Sequence, residues 1–192
     1  MASKPFLGAN LGKREDVGLH PDVGGLRYYS VYLPTDYDGH RPFPMIISFH
    51  AAKQEPATWP FVAITGGKGF IVVGMEYQAD ALPKSTGAGE TDPWKSSVDT
   101  LRRIAARLRS DLKVDPRVIF IGGVGRGALQ AQILASKSAE LWAGVVILRA
   151  ADAPEDAPVK SLAGKPILVA IPTVDPQAAA AVLPRKAAAR RS

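Results

Sequence analysis

The sequence predicts an α/β fold: a mostly parallel central sheet with helices on both faces. Short unbroken apolar runs such as MIISFH (45–50) and GFIVVGMEY (69–77) are typical of strands that are covered on both faces. Between residues 94 and 112 the apolar residues instead recur at spacings of three and four, which indicates an amphipathic helix. The segment 117–135 joins an apolar run to a helical pattern through several glycines. Strands that alternate with helices in this way predict a parallel sheet.

The N-terminal half contains three predicted strands and a long loop. GGLRYYSVYLP (24–34) alternates large apolar and polar residues and ends at Pro34, which predicts a half-exposed strand. The runs 45–50 and 69–77 predict two buried strands. Residues 80–92 are rich in glycine and threonine and show no periodicity, so we expect a long surface loop there.

The C-terminal half contains two predicted helices and three predicted strands. The first helix follows Asp92, an N-cap residue type, and Pro93, which suits the first helical position. Its apolar positions are Trp94, Val98, Leu101, Ala105, Leu108 and Leu112. The second helix runs from Gly127 to about Ala139. The predicted strands are RVIFIG (117–122), AGVVILRA (143–150) and KPILVAIP (165–172).

The composition is that of an ordinary globular domain. The 192 residues, 46% hydrophobic and 22% charged, suit one domain with a sizeable core. The absence of cysteine excludes disulfides, thiolate metal sites and a cysteine nucleophile. The first residues, MASKPFLGANLGKRED, do not match a secretory signal, and no window approaches a membrane span. We therefore expect a cytoplasmic location and no membrane partner.

The net charge of +6 is concentrated at the C-terminus. Four basic residues, Arg185, Lys186, Arg190 and Arg191, lie in the last eight residues, which are rich in alanine and contain no aromatic residue. Proteins that bind nucleic acid spread their basic residues over a face or interleave them with aromatic ones. We therefore expect a solvated tail and no nucleic-acid partner.

Five segments carry a resemblance to a known superfamily. They are YYSVYLPTDYDGHRPFPMIISFHAAK, KGFIVVGMEYQ, VDPRVIFIGGVGRGALQAQILA, ELWAGVVIL and KPILVAIPTVDP. In this order they resemble the α/β-hydrolases, in the branch of carboxylesterases related to polyhydroxybutyrate depolymerases and feruloyl esterases. With this resemblance we divide the chain into an N-terminal extension (1–23), an α/β-hydrolase-like domain (24–176) and a basic C-terminal tail (177–192).

The resemblance implies a nucleophile elbow that has lost its nucleophile. The superfamily carries its serine in G-x-S-x-G, on a strained turn between a strand and a helix. The motif aligns with residues 123–127, which places Gly125 at the serine position. Because glycine has no side chain, it cannot attack an ester.

The catalytic acid and base are only partly recognisable. The turn PTVDPQ resembles the segment that holds the superfamily's acid, which implies that role for Asp175; an ordinary Asp-Pro turn is the alternative. The superfamily's histidine follows the acid. The three histidines, His20, His40 and His50, all precede the elbow, so the histidine position is empty.

The resemblance also implies an oxyanion hole, which binds the negative oxygen of the reacting ester. His50, Ala51 and Ala52 stand where the superfamily carries His-Gly after its third strand. The donors would be the backbone N–H of Ala51 or Ala52 and that of Arg126. Such a hole can bind a carboxylate or carbonyl even where no acyl-enzyme forms. We expect His50 itself to be a buried, hydrogen-bonded residue.

Two further residues are candidates for lining the cleft beside His50. Trp59 lies in the loop after the predicted strand 45–50, and Glu76 lies at the carboxyl end of the strand 69–77. Trp94 and Trp142 fall on apolar helix positions, so we expect them in the core. Glu76 and Asp80 form an acidic pair without a histidine cluster, so we expect no metal site.

A dinucleotide site is the alternative interpretation of the glycine turn. Residues 123–128 also fit G-x-G-x-x-A after a strand and before a helix, and Arg149 follows at the end of the next strand, where it would meet a 2′-phosphate. Against this, the fingerprint normally opens the first strand of its fold, whereas at least three predicted strands precede it here.

The sequence therefore favours a catalytically inactive carboxylesterase-like domain with a binding or scaffold role. It would bind a small ester or carboxylate and use no cofactor. The alternatives are an active ester hydrolase that takes its histidine from a partner or from sequence not present here, an NADP-binding protein, and a folded relic without a ligand. The last 16 residues are few for the superfamily's final strand and helix, so we expect a sheet truncated at the C-terminus and a homodimer through its exposed edge.

Overall fold

The computed structural model describes residues 11–18, 28–50, 56–75, 94–148 and 162–170. They form a seven-stranded sheet in the order β1-β2-β4-β3-β5-β6-β7. The strands are β1 (Arg14–Gly18), β2 (Tyr28–Tyr32), β3 (Phe43–Phe49), β4 (Ile71–Met75), β5 (Val114–Val124), β6 (Gly144–Leu148) and β7 (Ile167–Ala170).

The sheet is mostly parallel, which confirms the predicted fold class. Strands β4, β3, β5, β6 and β7 run parallel to one another, whereas β2 is antiparallel to both β1 and β4. Strand β1 was not predicted, and it lies inside the segment 1–23 that we assigned to an N-terminal extension. Because β1 pairs with β2 along its whole length, this part of the segment belongs to the sheet.

Three helices connect the described strands: α1 (Phe61–Ile64), α2 (Lys95–Asp111) and α3 (Arg126–Lys137). Helix α2 begins at Lys95 with Trp94 at the N-cap position, later than the predicted start at Asp92 and Pro93, which lie outside the described residues. Helix α3 begins one residue before the predicted Gly127 and ends before the predicted Ala139, which opens a short 3-10 turn instead.

The two faces of the sheet carry different layers. Helices α2 and α3 contribute to one large core together with side chains from one face of the sheet. Its most buried members include Val31, Ile47, Val73, Leu101, Leu108, Ile121, Leu134 and Val145. The other face carries a smaller apolar cluster formed by Tyr32, Ile46, Phe61, Val72 and Leu148, in which α1 supplies Phe61. Helices thus pack on both faces, as predicted.

A row of small residues crosses four strands on the α1 face. Ser30, Gly74, Ser48 and Gly122 lie side by side in register on β2, β4, β3 and β5. The row leaves room for the backbone of residues 56–61, which lies across it. A Cβ on Gly74 would come within 2.6 Å of the carbonyl carbon of Ala57, and one on Gly122 would come within 2.8 Å of the Phe61 ring.

Two serines of this row tie the segment to the sheet. The Ser30 hydroxyl donates a hydrogen bond to the carbonyl oxygen of Pro56 (3.1 Å). The Ser48 hydroxyl donates to the carbonyl oxygen of Val73 (3.0 Å) and approaches that of Ala57 (3.4 Å). The segment that contains Trp59 is therefore held against the sheet by hydrogen bonds from serine hydroxyls to its backbone carbonyl oxygens.

Strand β7 forms the second edge of the described sheet. Its Ile167 and Leu168 side chains are 40% and 58% exposed. The homodimer through this edge stays a prediction. Within the described residues, no helix is both long and apolar enough to span a membrane.

The row of small residues predicts a stability effect at Gly74. Gly74→Ala should lower the free energy of unfolding by about 1–3 kcal/mol, because the new methyl group meets the backbone of Ala57. Urea denaturation followed by circular dichroism measures the loss.

Gly164→Ala is the control, since a Cβ there meets no atom within 4 Å and only the positive φ of +81° opposes it. We expect a smaller loss, of about 1 kcal/mol. Equal stability of wild type and Gly74→Ala would show that residues 56–61 do not lie on this row.

Candidate functional site

The connection between β5 and α3 is a single residue, Gly125. Strand β5 ends at Val124 and helix α3 begins at Arg126. Gly125 has φ 56° and ψ −124°, a backbone conformation that residues with a side chain rarely adopt. Its N–H donates to the carbonyl oxygen of Leu148 (3.2 Å), and its own carbonyl accepts from the N–H of Ala128 (3.0 Å). The chain therefore turns sharply at one strained position at the carboxyl end of the sheet.

The glycines on either side of this turn allow close packing. A Cβ on Gly123 would collide with the carbonyl group of Gly127. A Cβ on Gly127 would collide with the carbonyl oxygens of Phe49 and His50 at the end of β3. Glycine is thus required at 123 and 127 because a Cβ would collide with neighbouring backbone, whereas at 125 it is favoured because φ is positive. This is the division of roles that a strand–elbow–helix turn needs.

The amino end of α3 carries a positive charge and has no acidic residue in its own first turn. Arg126 is the first residue of the helix and its side chain is exposed. The first turn contains no acidic residue, and the N-cap position makes no side-chain hydrogen bond to it. Backbone N–H groups at a helix amino end carry a partial positive charge and bind anions. Chemically, this end of the helix can hold a carboxylate or the oxygen of a carbonyl group.

His50 connects the elbow to the segment that carries Trp59. The His50 side chain is buried (7% exposed), and its Nε2 lies 2.5 Å from the carbonyl oxygen of Trp59. Because a carbonyl oxygen only accepts, Nε2 carries the proton and donates. The backbone carbonyl of the same histidine packs against Gly127. With Nε2 as a donor, this nitrogen does not accept a proton from a nucleophile.

Trp59 is the most exposed large hydrophobic side chain in the described part of the chain. Its side chain is 67% exposed, although its backbone carbonyl is held by His50. By contrast Trp94 and Trp142 are 4% and 2% exposed, which confirms that both belong to the core. The indole N–H of Trp142 donates to the Ser138 hydroxyl (2.9 Å).

The structure brings together the predicted site residues Gly125, Arg126 and His50, with the backbone of Trp59 beside His50. The other predicted site residues lie outside the described residues, and their roles stay predictions. These are Ala51, Ala52, Glu76 and Asp175, together with Arg149 of the dinucleotide alternative. The glycine turn follows the fifth strand of the sheet, which weighs against that alternative.

Gln130 is a residue of this region that the sequence did not single out. It lies on α3, is 1% exposed, and neither its Nε2 nor its Oε1 has a hydrogen-bond partner. The sequence gives little signal for this burial, because the same helix carries a second glutamine, Gln132, that is only half-buried.

The described acidic residues whose pKa is lowered lie at the opposite end of the sheet. A hydrogen bond from the backbone N–H of Gly69 lowers the pKa of Asp36, and the Arg102 guanidinium lowers that of Glu140. Asp115, at the start of β5, is held in the same way by Arg117. Within the described ranges no three potential ligand residues cluster to hold a metal ion.

The elbow predicts unequal effects of alanine at its glycines. Gly125→Ala should lower the free energy of unfolding by about 1–3 kcal/mol, because alanine is strained at φ 56°. Gly127→Ala should lower it further, since the collision is with two backbone carbonyls that cannot move independently of β3.

Urea denaturation of both variants measures the difference. Gly66→Ala is the matched control, with φ +62° and no atom within 4 Å of the added Cβ. A Gly127→Ala variant as stable as this control would contradict the close packing of α3 against the end of β3.

Comparisons with known proteins place the chain by its fold. No protein-family model matches the sequence, and no curated protein matches it. Among solved structures, a thermostable esterase superposes with a TM-score of 0.61 at 15% sequence identity, over 81% of this chain and 45% of its own. FphF, a fluorophosphonate-binding serine hydrolase of Staphylococcus aureus, superposes with a TM-score of 0.57 at 15% identity, over 73% of this chain and 58% of its own.

An S-formylglutathione hydrolase from Agrobacterium tumefaciens superposes with a TM-score of 0.54 at 10% identity, over 83% of this chain and 85% of its own. The chain spans about half the length of the esterase and of FphF, at 45% and 58%. At these identities the likeness concerns the fold. The structural neighbours are esterases and serine hydrolases, and the chain has the α/β-hydrolase fold that its sequence resembles.

Proposed function

We propose that this chain is a non-hydrolytic domain with the α/β-hydrolase fold that binds a carbonyl or carboxylate group at its vacated elbow. The observation that carries the proposal is Gly125. It keeps the strained conformation that presents a nucleophile above the sheet, with φ 56° and ψ −124°, but has no side chain. The turn therefore has the backbone conformation of a nucleophile elbow but no side chain that could react.

Three of the described serines are buried and do not qualify as a replacement nucleophile. A nucleophilic serine needs an exposed hydroxyl whose proton passes to an adjacent base. Ser30, Ser48 and Ser138 are fully buried, and each hydroxyl donates to a backbone carbonyl. His50, whose backbone carbonyl packs against Gly127 of the turn, donates a hydrogen bond from Nε2 to the carbonyl oxygen of Trp59. These three serines and His50 therefore do not form a serine–histidine pair at this turn.

The amino end of α3 supports a binding role. An oxyanion site works by orienting N–H donors towards a negative oxygen, and this function does not require a nucleophile. Arg126 adds a full positive charge at the first position of the helix, where the first turn contains no acidic residue. A carboxylate therefore gains a charge–charge and a hydrogen-bond interaction at the same place. We also propose a cytoplasmic location, with which the cysteine-free composition agrees.

The proposal predicts no covalent labelling and no turnover. The wild-type protein should not react with a fluorophosphonate probe, unlike FphF, a fluorophosphonate-binding serine hydrolase. It should also hydrolyse p-nitrophenyl acetate no faster than buffer. Gly125→Ser should stay at the same background rate, because a serine without a base is not activated.

Gel fluorescence of the labelled protein and absorbance of p-nitrophenolate are the measurements, with an active serine hydrolase as the positive control. Stoichiometric labelling of a wild-type serine would overturn the proposal in favour of an active hydrolase. Turnover that appears in Gly125→Ser would reveal a functional base near the elbow and contradict the proposed non-hydrolytic role.

A further inference from the structure

We infer that two copies of this chain pair through strand β7, antiparallel and centred on Leu168, so that one sheet continues into the other across a twofold axis. The occupant of the β7 edge is therefore a second copy of the same chain. The inference concerns the edge of the sheet and does not depend on the proposed function. It rests on the residue types, the exposure and the hydrogen-bonding direction of β7.

The two edge strands of the described sheet differ in charge. Strand β1 has the sequence REDVG, with charged residues at three of five positions, whereas β7 has the sequence ILVA and no charged residue. Charged residues on an edge strand oppose pairing with another chain, and an uncharged apolar edge favours it. Of these two edges, β7 is therefore the one that suits a partner strand.

The charged residue next to β7 does not protect this edge. Lys165 lies two residues before the strand, and its Nζ donates a hydrogen bond to the carbonyl oxygen of Trp142 (2.6 Å), just before β6. A lysine that extends over a free edge would keep a second strand away. Here the hydrogen bond draws the ammonium group towards the neighbouring strand.

Strand β7 exposes apolar side chains on both of its faces. The exposed large hydrophobic residues of the described chain are Leu11, Trp59, Ile64, Ile167 and Leu168, and only on β7 are two of them adjacent. Because successive strand residues point to opposite faces, Ile167 and Leu168 leave apolar surface on the two sides of the sheet. A partner strand would cover both sides at once.

The backbone direction of β7 sets which residues face a partner strand. Strands β6 and β7 are parallel, and the N–H of Val145 donates to the carbonyl oxygen of Pro166 (3.0 Å). In a parallel ladder this bond directs the backbone groups of Pro166 and Leu168 towards β6, and those of Ile167 and Val169 away from it. The N–H and C=O groups of Ile167 and Val169 are thus the ones directed at the free edge.

A twofold axis at Leu168 uses these groups completely. It places Ile167 opposite the partner's Val169 and Val169 opposite the partner's Ile167, and each pair exchanges both of its N–H···O bonds. Leu168 then lies opposite the partner's Leu168 in a pair without hydrogen bonds, where side chains are closest. All the facing side chains are large and apolar, so the strand is complementary to itself.

The length of β7 sets the expected affinity. A contact of four residues from each copy is smaller than a standard protein interface, so we expect a dissociation constant of about 10–100 µM. Sedimentation equilibrium of the full chain measures it. The mass should rise from that of one chain towards that of two between about 1 and 300 µM.

Leu168→Lys tests the register of the pair. Because residue 168 would face itself, this change places two positive charges directly opposite each other and should weaken association at least about tenfold. Mixing Leu168→Lys with Leu168→Glu should restore a heterodimer, since opposite charges then face each other. Ile64→Lys is the matched control: Ile64 on α1 is 59% exposed, close to the 58% of Leu168, and its replacement should leave association unchanged.

A disulfide provides a second, independent test, because the chain contains no cysteine of its own. Leu168→Cys should form a covalent dimer under mild oxidation with copper phenanthroline, since Cα atoms of such a facing pair lie about 4.5 Å apart. Ile167→Cys should cross-link poorly, because residue 167 and its copy are diagonal neighbours at about 7–8 Å. Ile64→Cys gives the background of random collisions. Non-reducing gel electrophoresis measures all three.

Circular dichroism of each variant checks that the fold is retained, as the exposure of residues 64, 167 and 168 leads us to expect. A wild-type mass of one chain at every concentration would overturn the inference. Equal weakening by Leu168→Lys and Ile64→Lys, or cross-linking of Ile167→Cys in preference to Leu168→Cys, would overturn it as well. A monomer whose Ile167 and Val169 amides resist hydrogen exchange would show that the chain covers this edge itself.

Discussion

The structure depends on one constraint, the direct passage of β5 into α3 through a residue at φ 56°. This turn places the amino end of α3 against the ends of β3 and β5. Such close packing requires glycine at 123 and 127, because a Cβ at either position would collide with backbone atoms. A serine at the same apex would be strained, and a glycine removes this strain. Glycine at position 125 therefore relaxes the conformation of the turn, so the turn is a stable structural element.

The rest of the site follows from packing around this turn. The carbonyl of His50 meets Gly127, and its imidazole holds the carbonyl of Trp59. The segment 56–61 then crosses the sheet on the row that includes Gly74 and Gly122. A histidine that donates from Nε2 in this way does not act as a base through the same nitrogen, and this supports the proposal of binding without hydrolysis.

The fold and the elbow could be predicted from sequence because both follow from local patterns. Unbroken apolar runs identified β3, β4 and β6, and the spacing of glycines located the turn at Gly125. Strand β1 was missed because REDVG is charged and lacks alternation, so its pairing with β2 is a tertiary effect. The bond from His50 to Trp59 and the burial of Gln130 also depend on contacts distant in sequence, which no local pattern encodes.

The central claim is that an intact elbow conformation persists around a glycine that cannot react. A high-resolution crystal structure measures it directly, through the backbone angles at Gly125. We predict φ near 56° and ψ near −124°, with the Gly125 N–H bonded to the carbonyl of Leu148 and α3 beginning at Arg126. A negative φ at Gly125, with this hydrogen bond absent, would contradict the account, because the turn would then be an ordinary loop.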